Sequence, residues 1–254
     1  MLNNPYCRIY RKNKYYENHD KASSKLPSYV QSKYYCDIRL DLIRYYKILE
    51  KEFLNIINYI EPNNDNLQTF SIENAKLLIS ICVEVENNLK GILLANGYEY
   101  EEKDYNMIDY SQLEECLYLS QYELELNLYY FKYQFVPFTY NEIKKRYNLF
   151  WYRSYNNLKH NRTKNIKEAS LKNLIYALGG LYTLLYAQFG LYSDCANDEK
   201  ISIFKMDHGG YNQFNSSSIF EITKKPKISD DESYYFEWND DNDNGEFFKQ
   251  YFKQ

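Results

Sequence analysis

The sequence predicts a mainly α protein: an antiparallel bundle of long helices, interrupted by a short extended or β insertion and followed by a β-containing acidic tail. Three observations carry this. Apolar residues recur at three- and four-residue spacing over four long stretches, which places them on one face of a helix. Gly, Pro and Asn punctuate those stretches where a helix has to stop. Between about 98 and 140 the period shortens to a broken alternation, the mark of extended chain with one buried face.

Taken in order, residues 1–30 are polar and basic (Arg8, Arg11, Lys12, Lys14, Lys21, Lys25) and read as a loosely ordered arm. The first helix is expected from about Ser32 to Ile60, with Ile38, Leu42, Tyr45, Leu49, Phe53, Ile56 and Ile60 as its apolar stripe, stopped by Glu61-Pro62-Asn63-Asn64. A second opens at Ser71 as N-cap, carries Ala75, Leu78, Ile79, Cys82, Val85, Leu89 and Leu93 on one face, and ends before Gly97. The insertion that follows runs to Val136-Pro137-Phe138 as a hairpin or extended segment. Helical spacing returns near Asn141 and carries Trp151 through Asn161; a basic connection leads to a last helix over about Glu168–Phe189, closed by Gly190. The bundle domain is thus expected over 31–192. The extension, 193–254, holds two β-like runs, Ile201 to Met206 and Ser217 to Ile222, then an acidic, aromatic stretch around Trp238.

Composition narrows the class. Tyrosine supplies 31 of the 254 residues. Abundant Tyr, Asn, Lys and Ile with little Ala, Gly or Pro is what an AT-rich genome imposes, so the tyrosines are not read as a functional signal. A net charge of −4 argues against a protein that coats nucleic acid through its total charge, and leaves room for a local basic site. The five cysteines are widely spaced and form no CxxC pair, which predicts reduced thiols in a cytoplasmic protein and neither a disulfide framework nor a thiolate zinc site. Met1 to Lys14 lacks the apolar core of a secretory leader. Leu174 to Tyr192 is uncharged and nearly long enough to span a bilayer, but Gly179-Gly180, Thr183, Gln188 and its tyrosines fit a buried central helix better, so no membrane association is expected. Asp240-Asp241-Asn242-Asp243-Asn244-Gly245 matches the first half of a calcium loop, but Tyr251 stands where the bidentate Glu is required. His208, before Gly209-Gly210, reads as a turn residue.

The most informative stretch is Trp151-Tyr152-Arg153-Ser154-Tyr155-Asn156-Asn157-Leu158-Lys159-His160-Asn161-Arg162. On a helix Arg153, Asn156 or Asn157, and His160 share one stripe, with Arg153 and His160 two turns and about 10 Å apart. That is too far for direct contact and suits two groups flanking one phosphodiester. His can move a proton near neutral pH, and a permanently charged Arg offers paired donors to a phosphorane. Lys159, Arg162, Lys164 and Lys167 would supply a positive rim for an RNA backbone. Each has a plainer reading: His160 as a surface or interface histidine, Arg153 and Arg162 as salt-bridge partners, the lysines as a solvated connection. Trp151 and Tyr152 read as core or dimer packing before base stacking.

Arg153, six intervening residues and His160 resemble the long form of the Arg-to-His signature of HEPN domains. The aromatic pair, Tyr155-Asn156, Lys159-His160 and Arg162, with Pro137-Phe138 upstream, resemble a recurrent HEPN-like set of bacterial proteins. The resemblance implies a four- to five-helix HEPN-like bundle, commonly a homodimer, and in many members a metal-independent RNase of toxin–antitoxin, abortive-infection or CRISPR systems. It would make Arg153 and His160 catalytic, with Asn156 and Asn157 orienting the phosphate or the imidazole. RNA, a second copy of the chain, and an antitoxin or defence-system protein are the implied partners. No cofactor and no metal are implied. Ser154 stands where active members often carry Asn, Asp or His. The same groove would serve a non-catalytic module that binds RNA, a nucleotide or a protein.

Overall fold

In chain order the helices are α1 (Arg39–Ile57), α2 (Ile72–Ala95), the single turns α3 (Met107–Tyr110) and α4 (Glu114–Leu117), α5 (Phe150–Asn165), α6 (Leu171–Phe189) and α7 (Gly245–Tyr251). The strands are β1 (Glu123–Leu128), β2 (Phe131–Phe135), β3 (Tyr140–Asn141), β4 (Arg146–Tyr147) and β5 (Phe220–Lys224). These come from a computed structural model, which describes residues 5–14, 28–98, 105–190, 219–236 and 245–252. Cys195, the run Ile201 to Met206, His208, Trp238 and Asp240 to Asn244 lie outside them.

The four long helices pack together. Consecutive ones form hairpins: the end of α1 and the start of α2 share a groove lined by Ile56, Tyr59, Ser71 and Leu77, and α5 turns into α6 through a single 3₁₀ turn, Ile166–Glu168. Because the order is up-down-up-down, α2 and α6 point the same way, and they are in direct contact. Phe70 and Ser170, just ahead of them, form a bridge. Near their far ends the Gln188 amide donates to Asn88 Oδ1 at 2.9 Å. The bundle is therefore antiparallel between sequence neighbours but has a parallel central pair, which the antiparallel expectation did not include.

Helix α6 is the most enclosed of the four: of its residues only Lys172 and Tyr176 are not buried. Helices α1, α2 and α5 surround it on one side, and the sheet β2-β1-β5 covers the other, with Phe135 against Tyr176 at 4.7 Å and Phe220 stacked on Tyr182 at 5.9 Å. Gly179 makes this possible. A Cβ there would stand 2.6 Å from the Phe135 ring, so the helix accepts the roughly 1 kcal/mol that Gly costs relative to Ala to seat the sheet closely. Gly190, at φ +67°, ends the helix, and its N–H donates to the Tyr186 carbonyl at 2.8 Å. Among the described residues no helix is long and apolar enough to cross a membrane.

Several expectations shift in detail. Ser71 caps α2 by accepting from the Asn74 N–H at 3.0 Å, as its position suggested. Helix α1 starts later than Ser32, and its expected stripe holds at Leu42, Leu49 and Phe53 but not at Ile38 and Tyr45, which are exposed while Ile43 and Tyr46 are buried, because three- and four-residue steps give overlapping stripes in an apolar-rich helix. The insertion does contain a hairpin, with Leu124, Leu126 and Leu128 facing inward. It extends beyond 140, since Tyr140–Tyr147 form a second small hairpin with Lys145 at φ +46°, and the next helix begins only at Phe150. Strand β5, overlapping the expected run Ser217 to Ile222, pairs antiparallel with β1 and completes the sheet.

The basic N-terminal residues are not a loose arm where they are described. Cys7, Ile9 and Arg11 are buried, and the Tyr10 N–H donates to the Ala187 carbonyl at 2.9 Å. The Asn96 amide brackets Cys7, accepting from its N–H and donating to its carbonyl, both at 2.8 Å. Arg8 enters the core at φ +56° and places Nε and Nη2 on Gln188 Oε1 at 3.1 and 2.7 Å. Asn88 carries the chain of bonds on to the Glu84 carbonyl and carboxylate at 2.9 and 3.3 Å. Burial pushes the Glu84 carboxyl above the ordinary glutamate range, against the opposing pull of the Asn87 and Asn88 amides and of Arg8. The described cysteines, Cys7, Cys36, Cys82 and Cys116, are all buried, and no disulfide joins any two of them.

Candidate nucleic-acid interface

Helix α5 buries one face and offers the other to solvent. Trp151, Tyr152, Ser154, Tyr155 and Leu158 are buried; Arg153, Asn157, Lys159 and His160 are exposed, and Asn156 is half-buried. At about 100° per residue Arg153 and His160 fall nearly opposite the centre of the buried face. The two are separated by two turns, about 10 Å. Neither makes a side-chain hydrogen bond or ion pair within the described residues, so the polar atoms of both side chains face outward.

The buried face is held with polar as well as apolar contacts. Trp151 packs edge-on against Phe138 at 6.0 Å, and its indole N–H donates to the Pro137 carbonyl at 2.9 Å. The upstream Pro-Phe element is thus the seat of this helix. Tyr152 and Tyr155 both donate to the Glu86 carboxylate of α2, at 2.5 and 3.3 Å. Burial first, then the Glu86 charge, holds both phenols well above their ordinary range, so they act as fixed donors. Ser154 accepts from the Asn173 amide of α6 at 2.9 Å and faces the bundle, away from the Arg153–His160 stripe.

The remaining sequence candidates divide. Asn157 Nδ2 donates to both Glu168 oxygens at 2.9 and 3.0 Å, while its carbonyl accepts from Asn165 at 2.8 Å; this residue ties the α5–α6 turn together. The helix breaks after His160, where Asn161 takes φ −154° and ψ 84° and its Oδ1 accepts from the Lys164 N–H at 3.1 Å. Arg162 and Lys164 therefore sit on a separate final turn, both exposed, and Lys167 is exposed on the 3₁₀ turn after it. Lys159 lies over the Tyr155 ring at 5.7 Å. Between Phe150 and Lys172 the cations Arg153, Lys159, Arg162, Lys164, Lys167 and Lys172 face one carboxylate, Glu168, a local excess of positive charge in a chain whose total is −4.

Glu86 and Glu168, which fix the orientation and the end of α5, were not legible in the sequence. Their partners lie on other elements, and no spacing rule links them. Among the described residues no group of three His, Cys, Asp or Glu side chains is placed to hold a metal ion. No family model matches this chain, and no curated protein or solved structure matches it.

Proposed function

We propose that this protein is a HEPN-type endoribonuclease that works without a metal, or a regulatory relative of one, in a stress or anti-phage response. The observation that supports it is the outward-facing Arg153–His160 stripe, without side-chain partners among the described residues and followed by Arg162, Lys164 and Lys167. In this reading the imidazole of His160 takes the proton of an RNA 2′-hydroxyl, whose oxygen attacks the adjacent phosphorus. Arg153 stabilises the charged phosphorane, the 5′-oxygen leaves with a proton, and a 2′,3′-cyclic phosphate remains. Since one stripe offers few groups, a homodimer brings two of them across a shared cleft. An antitoxin or defence-system protein would cover the same surface.

His160→Ala and Arg153→Ala should each lower cleavage of single-stranded RNA by about 10² to 10⁴ without changing the helical circular dichroism signal. Excess EDTA should leave the wild type active, and Lys164→Ala should mainly weaken binding, with a shallower salt dependence. Light scattering should report a dimer at micromolar concentration. A monomer that leaves every RNA intact would remove this reading.

The engagement of Asn157 by Glu168 favours a second reading. With one of the two orienting amides committed to the fold, the stripe suits a non-catalytic module binding RNA, a nucleotide or a protein. Binding without cleavage, weakened by both alanine variants, would establish it.

A further inference from the structure

The hairpin β3–β4 stands directly ahead of α5, and its base is firmly held. The Asn148 N–H donates to the Thr139 carbonyl at 2.8 Å, where the chain enters and leaves the hairpin. Tyr147 is buried; its N–H donates to Ser111 Oγ and its hydroxyl to the Glu114 carboxylate, both at 2.9 Å. Its ring meets Phe138 at 5.5 Å, and Phe138 in turn packs on Trp151 of α5. The base of the hairpin and the first turn of α5 therefore share one seat. Arg153 belongs to that turn, its N–H bonded to the Leu149 carbonyl at 3.1 Å.

The loop that closes the hairpin, residues 142–145, projects from this seat into solvent. Ile143 is 95% exposed, the most exposed large apolar side chain among the described residues. Lys144, Lys145 and Arg146 follow it and are exposed, and among the described residues none of their side chains has a hydrogen bond or an ion pair. One carboxylate, Glu142, shares the loop. Burial first, then Glu142, Glu114 and Glu115, raises the Tyr140 phenol, so these carboxylates gather around the base and the tip is left cationic.

From this placement we infer that the β3–β4 hairpin is a second RNA-binding element, which grips a single strand beyond the α5 stripe. Lys144, Lys145 and Arg146 hold its phosphates, and Ile143 packs on an unpaired base. Three cations in a row, none of them paired, offer the charge complement of a polyanion in a chain whose total charge is −4. A rigid base suits such a role, because it fixes where the gripped strand lies relative to Arg153 and His160. The inference rests on the RNA reading of α5 and adds to it a contact that none of the α5 residues makes.

The test uses the full chain and a single-stranded RNA of about 20 nucleotides, 2′-O-methylated throughout so that no internal hydroxyl is left to cut it. Fluorescence anisotropy should show binding. Replacing Lys144, Lys145 and Arg146 together by alanine, with a native circular dichroism spectrum, should weaken it ten-fold or more. The slope of log affinity against log salt should become shallower by about 2, the value for three lost phosphate contacts to a single strand. Ile143→Ser should weaken binding several-fold and leave the slope unchanged. Removing three exposed cations elsewhere, Arg44, Lys51 and Lys249, should do neither. The inference is overturned if the RNA does not bind, if both triple variants weaken binding equally, or if the hairpin variant keeps the wild-type slope. Binding of anionic phosphatidylserine vesicles through the hairpin in place of RNA would also overturn it. RNA gripped through the hairpin while unmodified RNA is never cut keeps this inference and removes the nuclease; RNA cut with binding untouched by the hairpin variants does the reverse.

Discussion

Ser154 lies in the motif by sequence and in the core by position. It follows Arg153 directly and belongs to the motif by sequence, yet one helical step turns it into the bundle, where it accepts from Asn173. Ser154→Asp, which installs one of the three residues (Asn, Asp or His) that the HEPN resemblance leads one to expect there, should therefore bury a carboxylate and destabilise the fold by about 1–3 kcal/mol in urea unfolding. Unchanged stability would show that the side chain finds solvent. Glu84 makes a second prediction. A carboxyl held above its unfolded pKa binds its proton more tightly in the folded state, so it subtracts stability at pH above the folded value. That penalty is relieved as pH falls toward the ordinary glutamate range. Glu84→Gln should accordingly be at least as stable as the wild type at pH 8, with the advantage shrinking by pH 5. A variant that loses more stability at pH 8 than at pH 5 would reverse the sign and identify the Arg8 attraction as dominant.

At the scale of elements, α6 and the sheet define each other. The helix can remain uncharged along its length because the sheet lies on the face that α1, α2 and α5 leave open, and the sheet lies close because Gly179 lacks a side chain. Gly179→Ala should therefore destabilise the protein by about 1–3 kcal/mol, even though Ala favours the helix by roughly 1 kcal/mol. Stabilisation in the same unfolding assay would mean that the Phe135 ring moves aside freely. Helix α5 is limited in a different way. Its stripe ends at Asn161, whose cap to Lys164 starts a new turn, so the basic residues beyond it do not continue the face that carries Arg153 and His160. The helical stripe expected of the segment holds as far as His160 and no further.

For the whole molecule, the described parts of both chain extensions pack into the core. The segment around Cys7 and Arg11 reaches Ala187, Gln188 and Glu232, the bridge Asn13–Tyr234 joins the two extensions, and β5 completes the sheet on β1. A protein cut after Gly190 would lose β5 and the cover it gives to Tyr182. It should fail to show the single cooperative unfolding transition expected of the full chain, monitored by circular dichroism in urea. A fragment of residues 28–190 with full stability would show that the extensions are appendages after all.

The sequence by itself determined that four long helices form and where most of them end, because local periodicity and caps such as Ser71 and Gly190 act within a few residues of chain. It also placed Arg153 and His160 on one exposed stripe, since their relation is set by the turn of a single helix. Only the tertiary structure decided which neighbours those elements found. The parallel contact of α2 with α6, the commitment of Asn157 to Glu168 and the anchoring of Tyr152 on Glu86 each join residues far apart in the chain or on separate elements. Such contacts depend on how buried faces are matched and buried polar groups satisfied once the whole chain has collapsed, and no local pattern records that choice.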